Sequence, residues 1–144
     1  MIRSTARSIA YWTTTGILSA QLLMSGVFSL ARPPQVLEGM HHLGYPAYFA
    51  LILGTWKVLG VIAIVAPRFP RLKEWAYAGI LFDLTGAAFS HAASGDGPQA
   101  FGPLLFLALA VASWALRPAS RVLGSLPRAP RAGVAPLSEP APAE

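Results

Sequence analysis

The chain has 144 residues, of which 54% are hydrophobic and only 12% charged, with 11 basic against 6 acidic side chains and no cysteine. A soluble domain is usually about one-quarter charged, so the composition points to an integral membrane protein, most of whose length is used by spans of roughly 20 residues each. The missing cysteines exclude disulfides, thiolate metal sites and dithiol redox chemistry.

Arg3 and Arg7 lead into an apolar run over residues 9–30. The run is longer than the apolar region of a signal peptide and no small-x-small cleavage site follows, so it reads as a first spanning helix. The next stretch, RPPQVLEGMHHLGYP, is bracketed by a proline pair that ends this helix and a Gly-Tyr-Pro turn that starts the next. Inside it Val36, Leu37, Met40 and Leu43 recur at helical spacing, which predicts a short interfacial helix carrying Glu38, His41 and His42. Glu38 and His42 are four apart and share a face. Two such ligands do not make a metal site without a third group such as His91, so no metal centre is assigned.

A second span is predicted over residues 45–66, with Lys57 near its middle, and a third over 74–93, with Asp83 near its middle and His91 toward its end. Between them lies a short basic segment holding Arg68, Arg71 and Lys73. A fourth, shorter span covers 101–116 between Pro98 and Pro118, and tilt or local thinning of the bilayer accommodates its length. Beyond Pro118 the chain mixes Pro, Ala, Arg and Ser and lacks the apolar surface needed to offset ordering entropy. The expected organisation is therefore all-α: a four-helix transmembrane bundle over residues 1–118, with the short interfacial helix in its first outer loop, and a disordered cytoplasmic tail over 119–144.

Nine of the 11 basic residues, all but Arg32 and Lys57, fall before the first span, between the second and third, or after the fourth. The positive-inside rule makes that side cytoplasmic, giving a multi-pass protein with both termini inside. Basic residues beside anionic headgroups account for the net charge of +5, so no nucleic-acid partner is implied and the bilayer is the partner expected.

Lys57 and Asp83 are equidistant from Pro70 in the basic loop, so a helical hairpin brings the two charges to one depth. A lone charge at the bilayer centre costs at least about 2.5–3.5 kcal/mol, and such groups mostly face a bundle interior with a partner. Counting from the outer face puts Gln21 at the same level as Lys57, and His91 projects from nearly the same face of its helix as Asp83, roughly 12 Å further out. Two readings follow. In one, Lys57–Asp83 is a staple that fixes helix pairing. In the other, Gln21, Lys57, Asp83 and His91, continued outward by Glu38 and His42, line a polar pocket in which Asp83 and His91 move a proton and the remaining residues bind a ligand. Gly54, Gly60, Gly79 and Gly86 are read as helix-packing contacts.

The segments YWTTTG, SGVFSLARPP, LGYPAYF, LGTWKVLG, PRFPRLKEWAYAG and FDLTGAAFSH, spread over roughly residues 8–118, together resemble the DoxX-like family of small bacterial membrane proteins. The resemblance implies a four-helix bundle in the bacterial cytoplasmic (inner) membrane. The name-giving relative is a subunit of a thiosulfate:quinone oxidoreductase, which implies a quinone as the ligand to look for and a redox protein as partner. Three functions stay open. The protein is a membrane component that binds a quinone-like or other lipophilic ligand and supports a redox or detoxification system, an acid/base enzyme in its own right acting on a lipophilic substrate, or an assembly factor held by the Lys57–Asp83 staple.

Overall fold

A computed structural model describes residues 2–123. Among them there are five α-helices and no strand: α1 (Ile2–Ala31), α2 (Pro34–His42), α3 (Phe49–Val65), α4 (Pro70–Ala93) and α5 (Phe101–Leu116). A short 3-10 turn, Gly97–Ala100, leads into α5, and another, Ala119–Arg121, follows it. The tail expected over 119–144 lies outside the described residues from 124 onward. Just past the boundary placed at 118, Arg121 donates to Ile64 O at 3.2 Å.

The four long helices form a ring, with α1 against α3 and α5, and α4 against the same two. Their common centre is apolar: Leu18 and Leu22 of α1, Val61 and Ile64 of α3, Tyr77, Ile80 and Leu84 of α4, and Ala110 of α5. The outside is apolar as well. Phe82 and Phe89 are 73% and 77% exposed, and they stand among many exposed Leu, Ile, Val and Trp side chains. A monomeric soluble protein rarely shows apolar patches on this scale. By length and composition two helical stretches, Thr5–Ala31 and Gly97–Leu116, suffice to cross a membrane. Of the four spans expected, α3 misses this measure because it is a helix of 17 residues, and α4 because its apolar part, holding Asp83 and His91, is not apolar enough.

The small helix α2 forms where the spacing of Val36, Leu37, Met40 and Leu43 places it, starting at a proline, which suits a first helical turn. It ends in a Schellman motif: Gly44 adopts φ 81°, Gly44 N donates to His41 O and Tyr45 N to Met40 O. α4 ends the same way around Gly95 (φ 83°), with Gly95 N bonded to Ala92 O and Asp96 N to His91 O. Glycine enters the left-handed region without the steric cost of a Cβ.

Only some of the glycines serve helix contact. A Cβ at Gly54 would come within 2.8 Å of Gly26 O and of Leu30 Cγ, and one at Gly26 within 3.1 Å of Lys57 Cβ, so α1 and α3 meet backbone to backbone at these two residues. At Gly79 and Gly86 a Cβ would meet nothing within 4 Å, and at Gly60 only Ile80 at 3.9 Å. Packing therefore accounts for Gly54 and not for Gly60, Gly79 or Gly86.

Candidate functional site

Lys57 and Asp83 meet between α3 and α4, Nζ to Oδ2 at 3.6 Å, both side chains mostly buried. Lys57 also donates to Ser25 Oγ of α1 at 3.1 Å, so one ammonium ties three helices together. Asp83 Oδ2 is buried without a hydrogen-bond partner.

A cavity of about 650 Å³ opens beside this pair. It runs along the seam between α3 and α4 from Lys57 and Asp83 toward the basic turn, floored by Gly60, Ala63, Ala76 and Gly79 and flanked by Trp56 and Trp75. Both indoles are largely exposed, at 69% and 76%. The cavity is apolar except at the end where the charged pair stands. A pair of small residues three apart on each helix, Gly60 and Ala63 on α3 and Ala76 and Gly79 on α4, leaves its volume open.

The remaining sequence-predicted residues lie elsewhere. Gln21 is exposed on α1 and does not line the cavity. The inward row of α1 is Leu18, Leu22, Gly26 and Ser29, and Gln21 is turned away from it by about 100°. Shared depth fixes a residue's level in the membrane and says nothing of its azimuth, which is why counting from the outer face misplaced Gln21. His91 is also absent from the cavity lining. Its Nδ1 lies 3.6 Å from Asp96 Oδ2, and the same oxygen is 2.7 Å from His42 Nε2. Glu38 stays exposed on α2, and its expected neighbour His42 is engaged by Asp96.

Asp96 is thus a residue that the sequence reading passed over. The two Schellman motifs exchange contacts: Tyr45, just past α2, bonds Ser90 Oγ of α4 at 2.7 Å, while Asp96, just past α4, bonds His42 of α2. The sequence signal was present in LGY and SGD, a glycine one step beyond each helix followed by a residue able to reach across.

The opposite end of the ring holds a second polar group of residues. Lys73 is 1% exposed and donates to the carbonyls of Ala63 at 3.0 Å and Ile64 at 2.8 Å, and to that of Ala66. These are carbonyls at the end of α3 that lack helical partners, and a cation there also suits the helix dipole. Burial, followed by the neighbouring Arg121 and Arg117 guanidiniums, lowers the Lys73 pKa to about 8. Arg117 is buried over the Tyr77 ring and bonds Glu74 at 2.8 Å, and Glu74 also accepts from Trp114 Nε1 at 3.0 Å. Thr15, Ser113 and Tyr77 share hydrogen bonds of 2.6 and 2.7 Å. Lys73 and Arg117, read from the sequence as facing headgroups, instead close the ends of helices. The apolar centre around Leu18, Leu22, Ile80 and Leu84 separates this group from the Lys57–Asp83 pair.

Helices throughout the described residues, apolar outer faces, two helices able to cross a bilayer and a charged pair set between helices define a small membrane protein. Its residues 13–113 match the model of the DoxX-like family, and the chain belongs to that family. Neither the comparison with curated proteins nor that with solved structures gave a match.

Proposed function

We propose that this DoxX-like protein crosses the cytoplasmic membrane four times, with both termini inside, and binds a quinone-like or other lipophilic molecule beside Lys57 and Asp83. On this reading residues 1–118 make up the transmembrane domain and the tail from 119 is cytoplasmic. α3 and α4 cross together because each carries the counter-charge of the other, which offsets the cost of an isolated intramembrane charge. The observation that carries the reading is the cavity on the α3/α4 seam, apolar along its length and ending on an ion pair. Ligand sites are typically apolar clefts of ~300–1,000 Å³ with a few placed polar groups. A mere staple requires no such space. In this scheme Lys57 orients the ligand and Asp83 accepts or supplies a proton at it. The ligand then serves a membrane redox or detoxification system through a partner protein.

His91, with His42 and Asp96, holds the outer connection against α4 and stands apart from the ligand. This assignment replaces the outward-opening pocket of Gln21, Glu38, His42 and His91.

The test is purification of wild type, Lys57→Met and Asp83→Asn from native membranes, followed by mass spectrometry of the organic extract. Wild type carries a specific lipophile at near-stoichiometric amount, and Asp83→Asn, which keeps the shape and removes the charge, loses it. Identical extracts from all three proteins would leave the pair a staple.

A further inference from the structure

Gln21 lies in the stretch Thr5–Ala31, long and apolar enough to cross a membrane, ten residues or roughly 15 Å from its end at Ala31. The hydrocarbon core is about 30 Å thick, so the amide stands near its middle, too deep for the side chain to reach an interface. It is exposed on the outside of the ring and has no hydrogen-bond partner among the described residues. The hydroxyls of Thr14, Thr55, Thr85 and Ser90 meet the same difficulty by bonding a carbonyl four residues back in their own helix. A carboxamide carries two N–H donors and an acceptor, and the helix around it has already used its backbone groups, so the partners of Gln21 come from outside the fold.

The neighbours of Gln21 make it part of a seam. Ile17, Gln21, Met24 and Phe28 follow one another at spacings of four, three and four and are all exposed. That alternation is the one with which helices pair in a left-handed coiled coil. The inward row of α1, Leu18, Leu22, Gly26 and Ser29, lies on another side of the helix, and no residue of α1 lines the α3/α4 cavity. The seam is therefore separate both from the core and from the ligand groove.

We propose that α1 pairs along this seam with α1 of a second copy of the chain, the two Gln21 carboxamides hydrogen-bonded to each other. Copies of one chain cross the bilayer in the same direction, so a two-fold axis along the membrane normal sets the two helices parallel and brings each residue to the depth of its own counterpart. A carboxamide is its own complement: its N–H donates to the other's carbonyl oxygen, and its own oxygen accepts in return. A single polar residue in an apolar seam also fixes the register, because a shifted helix leaves both amides in hydrocarbon.

The chain has no cysteine, so single introduced cysteines report the contact directly. In native membranes under mild oxidation, Met24→Cys on the seam gives a disulfide-linked dimer. Leu23→Cys, also exposed but about 100° round the helix, does not. Strength is read from energy transfer between full-length copies carrying donor or acceptor fluorophores at the amino terminus, diluted in phosphatidylcholine vesicles. Gln21→Leu weakens association by roughly 3- to 30-fold, the range of interhelical polar bonds in membranes, and Gln21→Asn, which keeps the carboxamide, weakens it less. Circular dichroism confirms that the variants fold. Equal cross-linking at Leu23 and Met24, or none at Met24, would overturn the α1 seam. Association of Gln21→Leu as tight as that of wild type would overturn the amide pair, and a wild type that stays monomeric in vesicles would overturn the second copy as its partner.

Discussion

Replacing Lys73 by Met keeps the apolar stem and removes the ammonium that closes the end of α3. Its three carbonyl acceptors, on Ala63, Ile64 and Ala66, then lie in a buried site without that donor. A buried polar group left unsatisfied costs roughly 1–3 kcal/mol. Arg121 still reaches Ile64 O, so we take the lower end for each, giving about 3 kcal/mol in all. For a chain of this size that lowers Tm by about 10 °C, read by circular dichroism in a mild detergent. The same residue sets a pH dependence. Its pKa is about 8 in the fold against an ordinary 10.5, so between those values the unfolded chain holds a proton that the folded chain has released. Stability therefore rises as pH increases through this window, and the rise is absent in Lys73→Met. A loss below ~1 kcal/mol, the level of an ordinary surface change, would refute the cap.

Lys57→Met alone lowers thermal stability more than the Lys57→Met/Asp83→Leu double change, because one unpaired buried charge costs on the order of 3–5 kcal/mol and two absent charges cost none. Effects that merely add in a double-mutant cycle would show the pair to be uncoupled. Gly54→Ala pushes α1 from α3 and destabilises by roughly 1–3 kcal/mol, whereas Gly79→Ala is neutral or stabilising by up to about 1 kcal/mol, as chemical denaturation will show. In this cysteine-free chain, Gln99→Cys on intact cells reacts with an impermeant maleimide and Ser120→Cys does not; equal labelling would contradict the orientation.

Long-range periodicity and charge made much of this legible in the sequence. The apolar runs gave α3, α4 and α5 to within four residues at each end, whereas α1 starts seven residues before its apolar run, and the spacing around Met40 gave α2. The symmetry of Lys57 and Asp83 about Pro70 anticipated their shared level, because two helices joined by a short turn place equidistant residues at one depth, and the cost of a lone intramembrane charge anticipated that they pair. Azimuth was not legible. Gln21 and Lys57 share a level, yet only the packing of Gly26 against Gly54 decides which face of α1 looks inward. Nor was the fate of Lys73 and Arg117, since a basic residue at a helix end reads equally as a headgroup contact or as a cap, and the difference lies in which carbonyls the neighbouring helix leaves open. Asp96 escaped because its role depends on two helix ends meeting in space.

A ligand facing the Lys57–Asp83 pair is tested most directly by adding it back. Protein stripped of lipid in detergent should regain stability when the lipophile extracted from wild type is added back. Ligand at about 100 times its Kd raises stability by about 2.7 kcal/mol. Wild type shows this gain and Asp83→Asn loses it; an equal gain in both proteins would show that the ligand does not sit at the pair.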